Sequence, residues 1–239
     1  VIDEVEQVLG HFLAETLGEK RRSIFKIFAR LIREARQIVL LDADLSWPTF
    51  KTMELIRSVD KYTQNGEFST ETPIRFYLND WIDRTRSINI YDNHDHLIHE
   101  LKDAILSDQR VFVSSNSKRK IDALEQVVKE LERTTGIEIP HVSITSANSK
   151  SAVIQKLIEN IKSEALKYKV ILSSPSLGTG VDITFNDDAT EIDRVFGFFE
   201  ARVTSHYEID QQLARVRHPK QIDVWVSPQR FNFETQFEV

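Results

Sequence analysis

"RVFVSSNSKRKIDALEQVVKELERTTGIEIPHVSIT" (residues 110–145) sets two short apolar runs on either side of a long charged stretch. The runs, 110–115 and 141–145, are apolar on successive residues, the pattern of strands covered on both faces. The stretch between them, 117–134, repeats its apolar residues at helical spacing, which predicts a strand–helix–strand unit with parallel strands. The same plan runs along the chain. Further strands are expected at 37–42, 74–78, 87–91, 169–174, 194–199 and 222–226, and helices at 19–36, 49–60, 93–107, 148–166 and 205–217. The polar stretches 62–73 and 185–193 read as loops, and no internal repeat or low-complexity segment interrupts the alternation. The expected fold is α/β, with a boundary near 79–90 that leaves a partial first α/β unit and a full second one.

Composition narrows the function classes. Lys and Arg number 31 against 37 Asp and Glu, a net charge of −6, so a polyanion would be held by a local patch and not by a whole-surface field. Cysteine is absent, which excludes disulfides, thiolate metal sites and a cysteine nucleophile, and fits a reducing compartment. No apolar run has the length of a membrane span and no signal-peptide pattern opens the chain. The first residue is Val1 and the single methionine is Met53, so the chain is expected to begin inside a longer protein.

In doubly wound sheets ligands sit at the C-terminal ends of the strands, so the residues after each apolar run are the informative ones. Val1-Ile2 read as the tail of a strand ending in Asp3-Glu4. One carboxylate there is placed to hold a magnesium ion's waters and its neighbour to polarise a water, although an acidic pair also suits a helix N-terminus as a dipole partner. "QIVLLDADLSWP" ends its run in Asp42-Ala43-Asp44, a magnesium site, a sensor loop or a helix cap. After 110–115, Ser114, Ser115, Asn116 and Ser117 offer hydroxyls, an amide and free N–H groups at a helix start, beside Lys118, Arg119 and Lys120. That suits a phosphate cradle or a capped, solvated turn. "VILSSPSLGTGVDI" (170–183) carries Ser174, then Gly178 and Gly180, two of the chain's seven glycines, then Asp182. Glycines let backbone amides approach a ligand, and the Asp is placed to accept from a ribose hydroxyl. "QQLARVRHP" (211–219) sets Gln211 and Arg215 on one helix face. Arg217 lies opposite on an ideal helix, but His218 before Pro219 ends the helix and frees Arg217 to swing round. The two arginines suit either a solvated helix end or a site that needs two positive charges.

Acidic pair, Asp-Ala-Asp, Ser-Ser-Asn, Gly-Thr-Gly-Val-Asp and Gln-x-x-x-Arg-Val-Arg follow the order of motifs II to VI in superfamily 2 helicases, and the chain resembles that family over nearly its whole length. The contracted Arg-Val-Arg, the acids of motif III and the "FYLND" strand (76–80) are most similar to herpesvirus-type origin-binding helicases and to the helicase part of cyanobacterial-type plasmid replication proteins. The resemblance implies tandem RecA-like domains, the first incomplete (1–85) and the second whole (86–239), with ATP between them and single-stranded or replication-origin DNA as partner. Replication proteins are further partners it implies, and the compartment is cytoplasmic, or nuclear if the source is viral. Asp3 and Glu4 would serve Mg2+ and water activation, and Asp42 and Asp44 would couple nucleotide state to DNA grip. Ser115, Asn116 and Ser174 would touch the DNA backbone, Gly180 and Asp182 would meet the nucleotide, and Gln211, Arg215 and Arg217 would read the γ-phosphate.

The sequence also departs from the family. It contains no Gly-Lys-Ser/Thr loop, Ala214 stands where a glycine is common, and Asp42 and Asp44 replace the usual hydroxyls. By itself the chain is not expected to hydrolyse ATP. The rival reading is a non-catalytic RecA-like module that binds DNA or a partner. "NHDHLIHE" (93–100) reads as a solvated helix start and not a metal cluster. In 19–36, Ile24, Ile27, Phe28, Leu31 and Ile32 form the expected core face, with Arg22, Lys26 and Arg33 available for DNA. Trp47, Trp81 and Trp225 offer rings on which bases can stack, although Trp225 lies within a strand and is expected in the core.

Overall fold

The computed structural model describes residues 1–12, 15–42, 45–58, 75, 77, 87–177, 181–186, 189–201, 203–204 and 206–228. The expected strand 74–78 and loop 62–73 fall largely or wholly outside them, as do Asp44 and Gly180. By its internal contacts the chain divides into two compact units, Val1–Asp80 and Trp81–Val239.

In the C-terminal unit six strands form one sheet: β3 (Ser87–Tyr91), β4 (Val111–Ser114), β5 (His141–Ile144), β6 (Val170–Ser173), β7 (Arg194–Phe199) and β8 (Gln221–Val226). Their order is β3-β8-β7-β4-β6-β5, and every pairing is parallel. The helices are α4 (His94–Leu106), α5 (Lys118–Thr135), α6 (Ala152–Glu159), α7 (Ile161–Glu164) and α8 (His206–Leu213). This is the α/β parallel sheet that the alternating pattern predicts.

Successive apolar strand residues serve two cores. Val111 and Val113 pack with Leu97 and Leu101 of α4 and Ile121 and Leu124 of α5. Phe112 between them packs with Ile154 and Leu157 of α6 and Leu213 of α8. Phe112, Phe196, Phe198 and Phe199 are fully buried, and each contributes about 1.5–3 kcal/mol by leaving water. Close packing also needs a missing side chain: a Cβ on Gly197 would lie 2.6 Å from the Phe199 ring and 2.9 Å from Leu213.

Local signals set the helix ends. Asn93 accepts from the N–H groups of Asp95 and His96, Ser117 from Lys120 and Ser151 from Ile154. Gly136 closes α5 at φ 69°, the left-handed turn that suits glycine. Three expectations are corrected. The 148–166 helix is broken at Asn160 into α6 and α7. The 205–217 helix stops at Leu213, because Val216 pairs with Ile183 as an isolated parallel bridge. The 87–91 strand is an edge strand and not buried: Ile88 and Ile90 are 54% and 79% exposed, while Asn89 donates to Asp223.

The N-terminal unit has two short parallel strands, β1 (Ile2–Asp3) and β2 (Leu40–Leu41), with α1 (Val5–His11), α2 (Arg21–Glu34) and α3 (Trp47–Ser58). Its core joins Val5, Ala29, Ile32, Met53 and Ile56, with Phe25 and Phe28 packed against them. The expected core face of 19–36 is therefore rotated, since Ile24, Ile27 and Leu31 are exposed. Arg57 at the end of α3 donates to the carbonyls of Ile32 and Ala35 at 2.9 and 2.6 Å, which satisfies the end of α2.

Candidate functional site

In the N-terminal unit, Asp3 ends β1 and Glu4 turns the chain into α1. Glu4 holds a left-handed conformation (φ 53°, ψ 50°) and makes no side-chain cap for its own helix. Such a turn in a non-glycine residue costs about 1–2 kcal/mol, and strain of this kind collects at functional turns. The cap comes instead from the loop after β2. Asp42 accepts from the N–H of Glu6 at 2.8 Å, and Glu6 accepts from the N–H of Ser46 at 2.6 Å. Glu6 thus ties the start of α1 to Asp42 and to Ser46 at the start of α3. Asp42→Ala is expected to cost this unit about 0.5–2 kcal/mol, with Asp42→Asn closer to the parent, as read from the urea midpoint.

Asp3 and Glu4 are exposed. Two exposed carboxylates suit a magnesium ion that keeps waters and phosphate oxygens as its other ligands. Among the described residues no group of three or more His, Asp or Glu side chains is arranged to hold a metal on its own. The histidines of α4 point to separate partners: His94 to Asp95 and Lys120, His96 to Glu100, His99 to Asp103.

In the C-terminal unit the residues after β4 and β6 are interior. Ser115 and Ser174 are buried. Ser115 donates its N–H to Ser173 and accepts from the Ser117 N–H, while Ser174 donates its N–H to Ile144 and accepts from the Ser176 N–H. Asn116 is a clamp: its amide donates to the Glu200 carbonyl (2.8 Å) and Thr204 hydroxyl (3.0 Å) and accepts from the Glu200 N–H (2.8 Å). Lys118 and Arg119 are exposed at the start of α5, whereas Lys120 turns toward Glu200, 3.3 Å away. An open cavity of about 340 Å3 lies between Ser117, Arg119, Lys120, Ala123 and Glu200.

Ile183 and the arginine segment meet through backbone. Ile183 donates its N–H to the Arg215 carbonyl at 2.7 Å, and Arg217 donates its N–H to the Ile183 carbonyl at 3.2 Å. Val216 is buried at this bridge. In strand-like pairing the neighbours of an inward residue lie on its opposite side, so Arg215 and Arg217 share a face instead of opposing one another. Arg217 Nε is 2.9 Å from Asp182 Oδ1, which also accepts from Thr184 at 3.0 Å. Both members of the ion pair are about half exposed (50% and 47%), so it contributes at most about 1 kcal/mol and opens readily. Arg215 is half-buried, and burial pushes its guanidinium below its ordinary value, though an arginine keeps its charge.

Sequence reasoning missed three residues here. Gln212 reaches the sheet, where its carbonyl accepts from Ser114 at 3.4 Å; Gln211 beside it is half-buried. Asp223, fully buried in β8, accepts from Asn89, Gln221 and Arg194, and Arg194 also bonds Glu100 at 3.0 Å. Burial works against the Arg194 charge, yet its hydrogen bonds to the Asp223 and Glu100 carboxylates hold its guanidinium above the ordinary value. An apolar run broken by one Asp ("IDVWV") was the available signal for Asp223.

No known family profile matches the chain. Similar sequences include an uncharacterized protein of Picosynechococcus sp., 27% identical over 95% of this chain and 22% of its own length. A candidate helicase of Acanthamoeba polyphaga mimivirus is 25% identical over 91% of this chain and 19% of its own. A candidate replication-origin-binding protein of Escherichia phage T5 is 22% identical over 81% and 20%. The chain is thus similar to a candidate helicase and a candidate origin-binding protein. It spans about a fifth of the length of these relatives. Solved structures that overlap this chain include the Mycobacterium smegmatis helicase Lhr bound to single-stranded DNA and AMP-PNP (TM-score 0.41, 17% identity, 60% of this chain and 20% of that one). Domain 2 of the DEAD-box helicase Mss116p bound to an RNA duplex overlaps with TM-score 0.43 and 10% identity, over 59% and 54%. No described helix is long and apolar enough to cross a membrane.

Proposed function

We propose that the chain is part of an ATP-driven DNA helicase or translocase of a replication-initiation type. The observation that supports this reading is the isolated Ile183–Val216 bridge, which sets the backbone of Arg215 and Arg217 beside Ile183, with Arg217 paired to Asp182. Two guanidiniums on one face, one of them partly desolvated, suit charge that develops on a transferring phosphoryl group. Asp182, already paired to Arg217, is positioned to trade that partner for a nucleotide hydroxyl. Asp3 would offer a hard oxygen to Mg2+, and Glu4 beside it would orient water. ATP, when bound, supplies the phosphoryl group.

In this reading Ser115, Asn116 and Ser174 act from the interior. They hold the loops that present backbone groups, Lys118 and Arg119 to a DNA strand. Asp42 couples the acidic turn to the start of α3. No Gly-Lys-Ser/Thr loop occurs in this sequence, so turnover is a property of a longer polypeptide that supplies one. The test is ATP-dependent displacement of a labelled strand from a short forked duplex by that polypeptide. Displacement with ATP but not with a non-hydrolysable analogue supports the motor; binding without displacement favours a non-catalytic DNA-binding module.

A further inference from the structure

Helix α3 opens on an exposed aromatic step directly after the Asp42 loop. Trp47 is 63% exposed, and its indole stacks on Phe50 with centroids 5.0 Å apart and planes 19° from parallel. The Lys51 ammonium sits 5.3 Å from the Trp47 ring centroid and 5.9 Å from that of Phe50. Spacings of three and four residues set the three side chains on one helix face. The step is also held firmly. Ser46 accepts from the N–H of Thr49, Thr49 is buried, and the Ser46 N–H is bonded to Glu6. A stacked indole left mostly in water, with a cation over it, is an unusual use of the largest apolar side chain.

We propose that Trp47, Phe50 and Lys51 form a platform for single-stranded nucleic acid, with a base stacked on the Trp47 indole and a neighbouring phosphate on the Lys51 ammonium. The proposal rests on the DNA-binding part of the function above, but assigns it a surface outside the helicase-like motifs. Every base has a π-face, so such a platform grips a strand whatever its sequence. The ammonium decides the class of partner. An apolar protein surface laid on Trp47 would desolvate Lys51 and its partner Glu54, 2.8 Å away, whereas a phosphate replaces the carboxylate in kind.

The experiment is a binding titration of the full chain with a fluorescein-labelled dT oligonucleotide and with an abasic phosphodiester strand of the same length. Trp47→Ala is expected to weaken dT binding by about 5–150-fold, with Trp47→Phe retaining most of the affinity. The abasic strand should bind more weakly than dT and be indifferent to Trp47→Ala. Lys51→Ala should weaken both strands and flatten the salt dependence by about one ion. Unchanged dT affinity in Trp47→Ala overturns the platform and leaves the step to a protein partner. Equal losses on dT and abasic strands overturn it too, because the indole then acts without touching a base. A parent that binds neither strand sinks the DNA-binding reading as well, whereas a parent whose tight binding Trp47→Ala shares loses only the platform.

Discussion

Arg215→Ala, placed in a longer polypeptide that turns over ATP, is expected to lower the turnover by at least a factor of about 10². Arginine fingers in nucleotide hydrolases contribute about 10³–10⁵ in rate, and a second guanidinium on the same face holds part of that here. The loss follows from geometry. Arg215 is half-buried, its charge is less screened than one in open water, and the Ile183 bridge fixes its backbone. Arg215→Lys should recover only part of the rate, because a point ammonium cannot reproduce the planar fork. Because part of the side chain is packed, the thermal midpoint is followed beside turnover; a rate lost with the midpoint unchanged separates chemistry from folding. Equal turnover in parent and variant would make the Arg-Val-Arg segment a structural edge and nothing more.

Asp223→Ala is expected to have the largest effect on stability. Its carboxylate is fully buried and takes hydrogen bonds from Arg194 (2.9 Å), Asn89 (3.0 Å) and Gln221 (2.7 Å). Removing it strips Arg194 of one of two carboxylate partners while the guanidinium stays largely out of water. Breaking a buried pair in this way costs about 3–5 kcal/mol, which for a domain of this size lowers the melting midpoint by roughly 10 °C. The same network carries β3 on the sheet edge through the Asn89–Asp223 bond. Asp223→Asn should lie between the two, since an amide oxygen still accepts. A midpoint within about 2 °C of the parent would mean that water replaces the carboxylate, and that the network adds little.

What the sequence made legible was set by how local the physics is. The strand–helix–strand unit of 110–145 is local throughout: apolar runs, a serine cap at Ser117 and a left-handed Gly136. The end of α8 is not local. Ala214-Arg215-Val216-Arg217 continues a helix acceptably, and only the bridge from Val216 to Ile183, far away in sequence, accompanies its departure from the helix. The polar–apolar–polar alternation of Arg-Val-Arg was the trace of that pairing. β3 carried a similar trace, because Ser-Ile-Asn-Ile-Tyr alternates, but a buried Asp223 selects Asn89 as the inward partner and leaves both isoleucines outside. In α2 two apolar sets fit helical spacing equally well, and packing on α3 chose Phe28, Ala29 and Ile32 over Ile27 and Leu31. The hydrogen bond from Glu6 to Asp42 joins residues 36 apart and has no sequence signature at all. Among the candidate residues, Asp182 and Arg217 form an ion pair across 35 residues that type and spacing did not specify. The inward roles of Ser115, Asn116 and Ser174 depend on burial, which a strand-end position does not reveal.

The proposed role of Arg215, Arg217 and Asp182 is in an ATP-driven motor. Its most direct test is the steady-state rate of ATP hydrolysis by a longer polypeptide containing this chain, measured with and without saturating single-stranded DNA. A basal turnover that rises when DNA is added, and falls back as salt weakens DNA binding, is the predicted result. No turnover under either condition, in a protein that still binds the DNA, would contradict the motor and leave a RecA-like binding module in its place.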